Sequence, residues 1–163
     1  MPIKVCSVCV SPKEIGISQW TYLDPSGDFV CSKACALAWV SRSVMPKLDP
    51  SFIVPWTERG SEVYDGKTGM YYRSEYELQV AKWLREARLF ALYEQFGFRV
   101  RHGLYVPDFY LSKKCFIEVK GRWGASQKLK TLNFRDTFPE YPLLVLTWLI
   151  HGEFYDKRDR ITR

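Results

Sequence analysis

Long apolar runs are missing from this sequence: none approaches the roughly 20 residues that a membrane-spanning helix needs. The opening Met1-Pro2-Ile3-Lys4-Val5-Cys6 does not form a secretory leader. Together these absences predict a cytoplasmic protein with no membrane partner. Internal repeats and low-complexity segments are lacking too, which excludes repeat architectures and compositionally disordered ones. Histidine is scarce: His102, a candidate general base, reads more readily as a structural or nucleic-acid-facing residue, and His151 as a loop residue. Acidic residues nearly vanish between Lys113 and Arg135. There Glu118 alone opposes Lys113, Lys114, Arg122, Lys128, Lys130 and Arg135, with Lys120 in addition.

What is present argues for a folded domain. The 163 residues suffice for one good core with a small appendage. Hydrophobic residues make up 47%, and the aromatic share of 16% supplies bulky core anchors or stacking surfaces for bases. The net charge of +6 is concentrated in the run just described and in the tail Lys157-Arg158-Asp159-Arg160-Ile161-Thr162-Arg163. Such clustering suits a polyanion whose binding weakens with salt, although a solvated basic face has the same composition.

Five cysteines divide into four that pair by spacing and one that does not. Cys6-Ser7-Val8-Cys9 is a C-x2-C knuckle, and Cys31-Ser32-Lys33-Ala34-Cys35 is a C-x3-C pair opening the apolar stretch Ala36-Leu37-Ala38-Trp39-Val40. In an intracellular chain these spacings favour tetrahedral zinc over two disulfides or four buried thiols. The second pair falls at a helix N-terminus, where backbone N–H groups favour thiolates. The arrangement resembles a treble-clef or similar short module, with structural zinc on Cys6, Cys9, Cys31 and Cys35. Cys115 reads as a small apolar strand residue.

In chain order, residues 1–45 read as that zinc module, with a hairpin around Asp24-Pro25-Ser26-Gly27 joining Gly16–Tyr22 to Gly27–Val30. So small a unit depends on metal for much of its folding free energy. Residues 46–70 read as a linker and hairpin: Pro46 and Pro50 disfavour a helix, and Glu62–Tyr72 carries a glycine-bearing turn. Ser74 and Glu77 form a capping box for a helix predicted to run to about Gln95 and to end at Gly97. Leu78, Ala81, Trp83, Leu84, Ala87 and Leu92 supply its apolar face. Strands follow at Phe98–Arg101, Tyr105–Leu111 and Phe116–Lys120, then a helix at Ser126–Phe138 and a buried strand at Leu143–Leu149. The sum is a mixed α/β domain over 71–150, with 151–163 as a basic C-terminal tail.

The chemistry gathers at Val106-Pro107-Asp108-Phe109 and Phe116-Ile117-Glu118-Val119-Lys120-Gly121. Alternation along a strand sends Glu118 and Lys120 to one face and Ile117 and Val119 to the other. Asp108 lies ten positions before Glu118, with Ser112-Lys113-Lys114 as a polar turn between two antiparallel strands. Two convergent carboxylates suit a hard divalent cation, and a neighbouring lysine would orient or help deprotonate a water. Upstream, Arg73-Ser74-Glu75-Tyr76-Glu77 supplies a further acid in Glu77, which equally suits the plain role of a helix cap.

The ordered blocks R-S-x-x-E, P-D-F and E-V-K-G resemble the PD-(D/E)XK nuclease superfamily. Their spacing is most similar to the junction-resolving endonuclease I family of bacteriophages, over about residues 70–148. The resemblance implies a restriction-endonuclease-like core, a mixed sheet flanked by helices, that hydrolyses DNA phosphodiesters. Catalytic roles then fall on Glu77, Asp108, Glu118 and Lys120, with magnesium or manganese on Asp108, Glu118 and the Val119 carbonyl. Arg73, Ser74, Lys113, Lys114, Arg122, Trp123, Lys128, Lys130 and Arg135 become DNA contacts, Trp123 having a core role as its alternative. Phage resolvases imply branched DNA, such as Holliday junctions, and a homodimer, but the zinc module departs from that simpler pattern. A nicking, homing or restriction-like enzyme would carry the same motif. A non-catalytic zinc-finger DNA-binding accessory protein and a structural zinc protein are the readings outside enzymology.

Overall fold

The computed structural model describes residues 3–14, 20–23, 29–53, 63–121 and 124–148. The turn at Asp24–Gly27, Arg122, Trp123, His151 and the basic tail lie outside the described residues. In chain order the elements are β1 (Ile3–Val5), β2 (Pro12–Glu14), β3 (Trp20–Leu23), β4 (Phe29–Val30), α1 (Lys33–Arg42), β5 (Phe52–Ile53), β6 (Val63–Asp65) and β7 (Met70–Tyr72). Then come α2 (Glu75–Glu86), β8 (Ala91–Tyr93), β9 (Phe96–Val100), β10 (Gly103–Tyr105), β11 (Phe109–Leu111), β12 (Cys115–Lys120), α3 (Ala125–Thr137) and β13 (Leu143–Trp148). The expected mixed α/β class is what forms.

Its centre is a six-stranded sheet in the order β4-β3-β13-β12-β11-β8. β12 and β13 run parallel, with Glu118 beside Val145 and Lys120 beside Thr147, and the other pairs are antiparallel. A parallel pair needs a crossover, and α3 supplies it. Both faces of the sheet are covered, so five of the six residues of β12 are buried. On one face Ile117, Val119 and Leu146 pack with Leu78 and Leu84 of α2 and Val40 of α1. On the other, Phe116 and Val145 pack with Phe134 of α3 and Phe98 of β9. β9 and β10 form a separate three-stranded sheet with β5. β3 and β4, from the segment read as the zinc module, are outer strands of the main sheet, with β3 bonded along β13 from Val145 to Trp148.

Three boundaries differ from expectation. The helix opened by Ser74 stops at Glu86 instead of running to about Gln95. Arg88 adopts a left-handed φ of 57°, its N–H bonds to the Arg85 carbonyl, and the Leu89 N–H reaches back to Leu84. That is a Schellman ending with arginine at the usual glycine position. Leu92 then lies in β8, opposite Tyr110 of β11, and Gly97 lies within β9. The predicted strand Tyr105–Leu111 is split between two sheets, because Pro107 cannot donate to a ladder. The joint between the halves, Val106-Pro107-Asp108, carries the first of the motif acids.

The predicted β6–β7 hairpin forms, with Gly69 at a φ of 71° in its turn. Asp65 ties that turn to α2 by accepting from the Lys67 N–H, the Thr68 hydroxyl and Arg85. The Arg85 guanidinium holds the Asp65 carboxyl below the usual carboxylate range against the cost of its burial.

Candidate functional site

β11 and β12 pair with Phe109 opposite Ile117, so Asp108 stands level with Glu118 at the end of the pair. The Val119 N–H donates to Asp108 Oδ2 at 2.6 Å. N–H and C=O of one strand residue project to the same edge, so the Val119 carbonyl faces Asp108 as well. Glu118 has both oxygens engaged. Lys120 pairs with Oε1, and the Tyr105 hydroxyl donates to Oε2 at 2.9 Å. Asp108 and Glu118 are both buried and Lys120 is nearly so, which makes this a cluster of charges withdrawn from water.

The electrostatics follow from that withdrawal. Burial pushes the Asp108 carboxyl well above its ordinary range, the Glu118 charge adds to the effect, and Lys120 opposes it. Burial alone would lower the Lys120 ammonium, but Glu118 and Asp108 overcome it and hold the group above its ordinary value. A divalent cation beside Asp108 would relieve the same strain. The donor set is hard oxygen throughout and fits magnesium or manganese better than zinc.

Glu77 stands apart from this pair. Its carboxylate accepts from the Ser74 hydroxyl and the Arg73 N–H, each at 2.9 Å, and from the Tyr93 hydroxyl. The serine half of the predicted capping box is formed, with the Glu77 N–H donating to Ser74 Oγ at 3.2 Å, whereas the Glu77 carboxylate reaches the Arg73 N–H in place of the Ser74 N–H. Its charge still acts on both Asp108 and Lys120, so the first turn of α2 lies at the same end of the sheet. Gly121 explains how the two approach: a methyl group there would lie 2.6 Å from a ring carbon of Tyr76.

The four cysteines converge as their spacing predicted. All four sulfurs lie within 4.8 Å of one another, and Cys31 Sγ is 3.7 Å from Cys9 and 3.6 Å from Cys35. A tetrahedron with Zn–S bonds of about 2.3 Å has edges of about 3.8 Å, whereas a disulfide requires about 2.05 Å. The cluster thus fits a structural zinc. The Val8 and Cys31 N–H groups point at Cys6 Sγ from 3.4 and 3.3 Å. Ser32 caps α1 by accepting from the Cys35 N–H, which places Cys35 in the first helical turn. Hydrogen bonds from Ser11 lower the Cys9 thiol to about 6, while burial and the neighbouring sulfurs push Cys31 up to about 12. Among the described residues this is the only group of three or more potential ligands from His, Cys, Asp and Glu that could hold a metal. The acids at the other site number two.

The basic residues are dispersed more widely than their clustering in sequence suggests. Lys113 and Lys114 occupy the β11–β12 turn, at the far end of a six-residue strand from Lys120. At about 3.3 Å per residue the six steps from Lys114 to Lys120 span roughly 20 Å. Lys114 also donates to the Ser41 carbonyl at 2.8 Å, and Lys113 takes a left-handed φ of 60°. Arg73 pairs with Glu94 at 3.0 Å, and Ser74 is occupied in its cap. Lys128 and Lys130 lie two positions apart on α3, and both are half-buried. Arg135 pairs with Asp136 in the last turn of α3, remote from the acids. Two residues that the motifs did not mark, Tyr105 and Tyr93, each donate to a motif carboxylate. Thr147, beside Lys120 on β13, has the one buried side-chain oxygen or nitrogen without a partner among the described residues.

In comparisons with protein-family models, curated proteins and solved structures, nothing matched the chain.

Proposed function

We propose that this protein is a metal-dependent DNA endonuclease with a PD-(D/E)XK core, hydrolysing phosphodiester bonds with magnesium or manganese. The observation that carries the reading is the buried pair Asp108 and Glu118, joined by Lys120, with Asp108 brought level with Glu118 by the antiparallel pair β11–β12. Asp108, Glu118 and the Val119 carbonyl would hold the cation. It would supply positive charge to the scissile phosphate and lower the pKa of a bound water. Lys120, held as an ammonium, would orient the attacking water or a phosphate oxygen. Glu77 would contribute through its field and by fixing the first turn of α2. Lys128 and Arg122 are among the candidates for backbone contacts to DNA that the sequence resemblance implies. Branched DNA and a homodimer are the substrate and assembly that the sequence resemblance favours.

The test is cleavage of a labelled four-way junction and a matched linear duplex, with or without added magnesium, by zinc-loaded wild type, Asp108→Asn and Lys120→Ala. Metal-dependent cutting lost in both variants, with DNA affinity retained, supports the assignment. Undiminished cutting by either variant refutes it, and equal cutting of both substrates by wild type refutes the junction preference alone.

A further inference from the structure

Tyr105 belongs to β10 and therefore to a different sheet from the acids, yet its hydroxyl reaches Glu118 across the junction between the sheets. Its ring is 5% exposed and packs on Phe134 of α3, with centroids 4.7 Å apart. Thr131, a buried residue of α3, lies against the same hydroxyl. Phe98, Phe116 and Phe134 fill the surrounding core. A phenylalanine at 105 would fill the space equally well, so the hydroxyl is what distinguishes tyrosine there. That hydroxyl donates to Glu118 Oε2 at 2.9 Å.

We propose that Tyr105 is a positioning residue of this site, whose hydroxyl locks the Glu118 carboxylate in the orientation that presents its other oxygen to a divalent cation. The inference rests on the metal-site reading above. With Oε2 held by Tyr105, Oε1 is the oxygen left to exchange Lys120 for a metal. Without the hydroxyl, Oε2 is buried with no donor and the carboxylate is free to turn. Partners that orient a ligand in this way typically contribute 10–100-fold to metal affinity.

The experiment is a calorimetric titration of manganese into zinc-loaded, DNA-free wild type, Tyr105→Phe and Phe134→Leu, with gel-shift DNA affinity in the absence of added manganese as a control. Cleavage is followed against manganese concentration alongside. Tyr105→Phe is expected to bind manganese about 10–100-fold more weakly. Its half-saturating manganese for cleavage should rise by the same factor, with the saturated rate largely recovered and DNA affinity unchanged. Phe134→Leu loosens the same ring without removing the hydroxyl and should leave manganese affinity near wild type. Equal affinity in wild type and Tyr105→Phe overturns the positioning role and leaves the nuclease assignment standing. So does a loss in Phe134→Leu that matches the loss in Tyr105→Phe. A wild type that binds no manganese overturns both readings together, while one that binds but does not cut fails the nuclease reading alone.

Discussion

Stripping metal from the cysteine cluster should loosen the main sheet as well as the segment that carries the cysteines. The connection is short. Cys31 directly follows β4, the Ser7 N–H bonds to the Phe29 carbonyl at 2.8 Å, β4 pairs with β3, and β3 pairs with β13 beside the strand bearing Glu118 and Lys120. The same segment places Val30 and Val40 in the core that contains Ile117 and Leu146. At about 1.5–3 kcal/mol for each buried side chain, those two valines represent about 3–6 kcal/mol. A domain's whole stability is typically about 5–15 kcal/mol, and a structural zinc contributes about 10–16 kcal/mol. Losing the metal therefore removes an amount comparable to the domain's whole reserve. Hydrogen exchange read by mass spectrometry, on native protein and after zinc chelation or Cys9→Ser, tests this. Peptides over 115–121 and 143–148 should lose protection together with those over 3–42, in one cooperative transition. Retained protection of 143–148 while 3–42 exchanges freely would refute the coupling and make the cysteine segment an independent appendage.

Four further outcomes follow from single contacts. Gly121→Ala should cost about 1–3 kcal/mol in thermal unfolding, because its methyl group overlaps the Tyr76 ring; an unchanged Tm would mean that α2 does not approach β12 this closely. Arg88→Gly should stabilise by up to about 1 kcal/mol by relieving a left-handed φ; destabilisation in denaturant melts would contradict the Schellman ending. With zinc retained and no added magnesium or manganese, Asp108→Asn should raise Tm at neutral pH. The raised Asp108 pKa means that the native carboxyl binds a proton that the unfolded chain releases, so wild-type stability falls as pH rises through the interval from the unfolded value to the folded one. The advantage of the variant should fade towards about pH 4, and an advantage confined to acid would have the wrong sign. Thr147→Val should be neutral or stabilising by about 1 kcal/mol, since an unpartnered buried hydroxyl is removed; lost stability would reveal a partner for it.

The residues of the chain carry the local chemistry on their own. The Ser74 cap of α2, the turn through Gly69, the alternation along Cys115–Lys120 and the paired cysteine spacings all formed where the pattern put them. Each depends on neighbours within a few residues, and that range is what periodicity and spacing report. The early stop of α2 carried no such sign, because Arg88 occupies the position where glycine would have announced it. Leu92 suits a helix face and a strand equally, and only pairing with β11 decided between them. The same holds for the site. Asp108, Glu118 and Lys120 were legible as a motif, but Tyr105 reaches Glu118 from another sheet, across a chain reversal that no spacing encodes. Lys113 and Lys114, close in sequence to the acids, are carried to the far end of β12 by the rise of the strand itself. Sequence alone determined which groups could do chemistry. Tertiary structure decided which of them meet, because long-range strand pairing and burial set the distances and the charge environment.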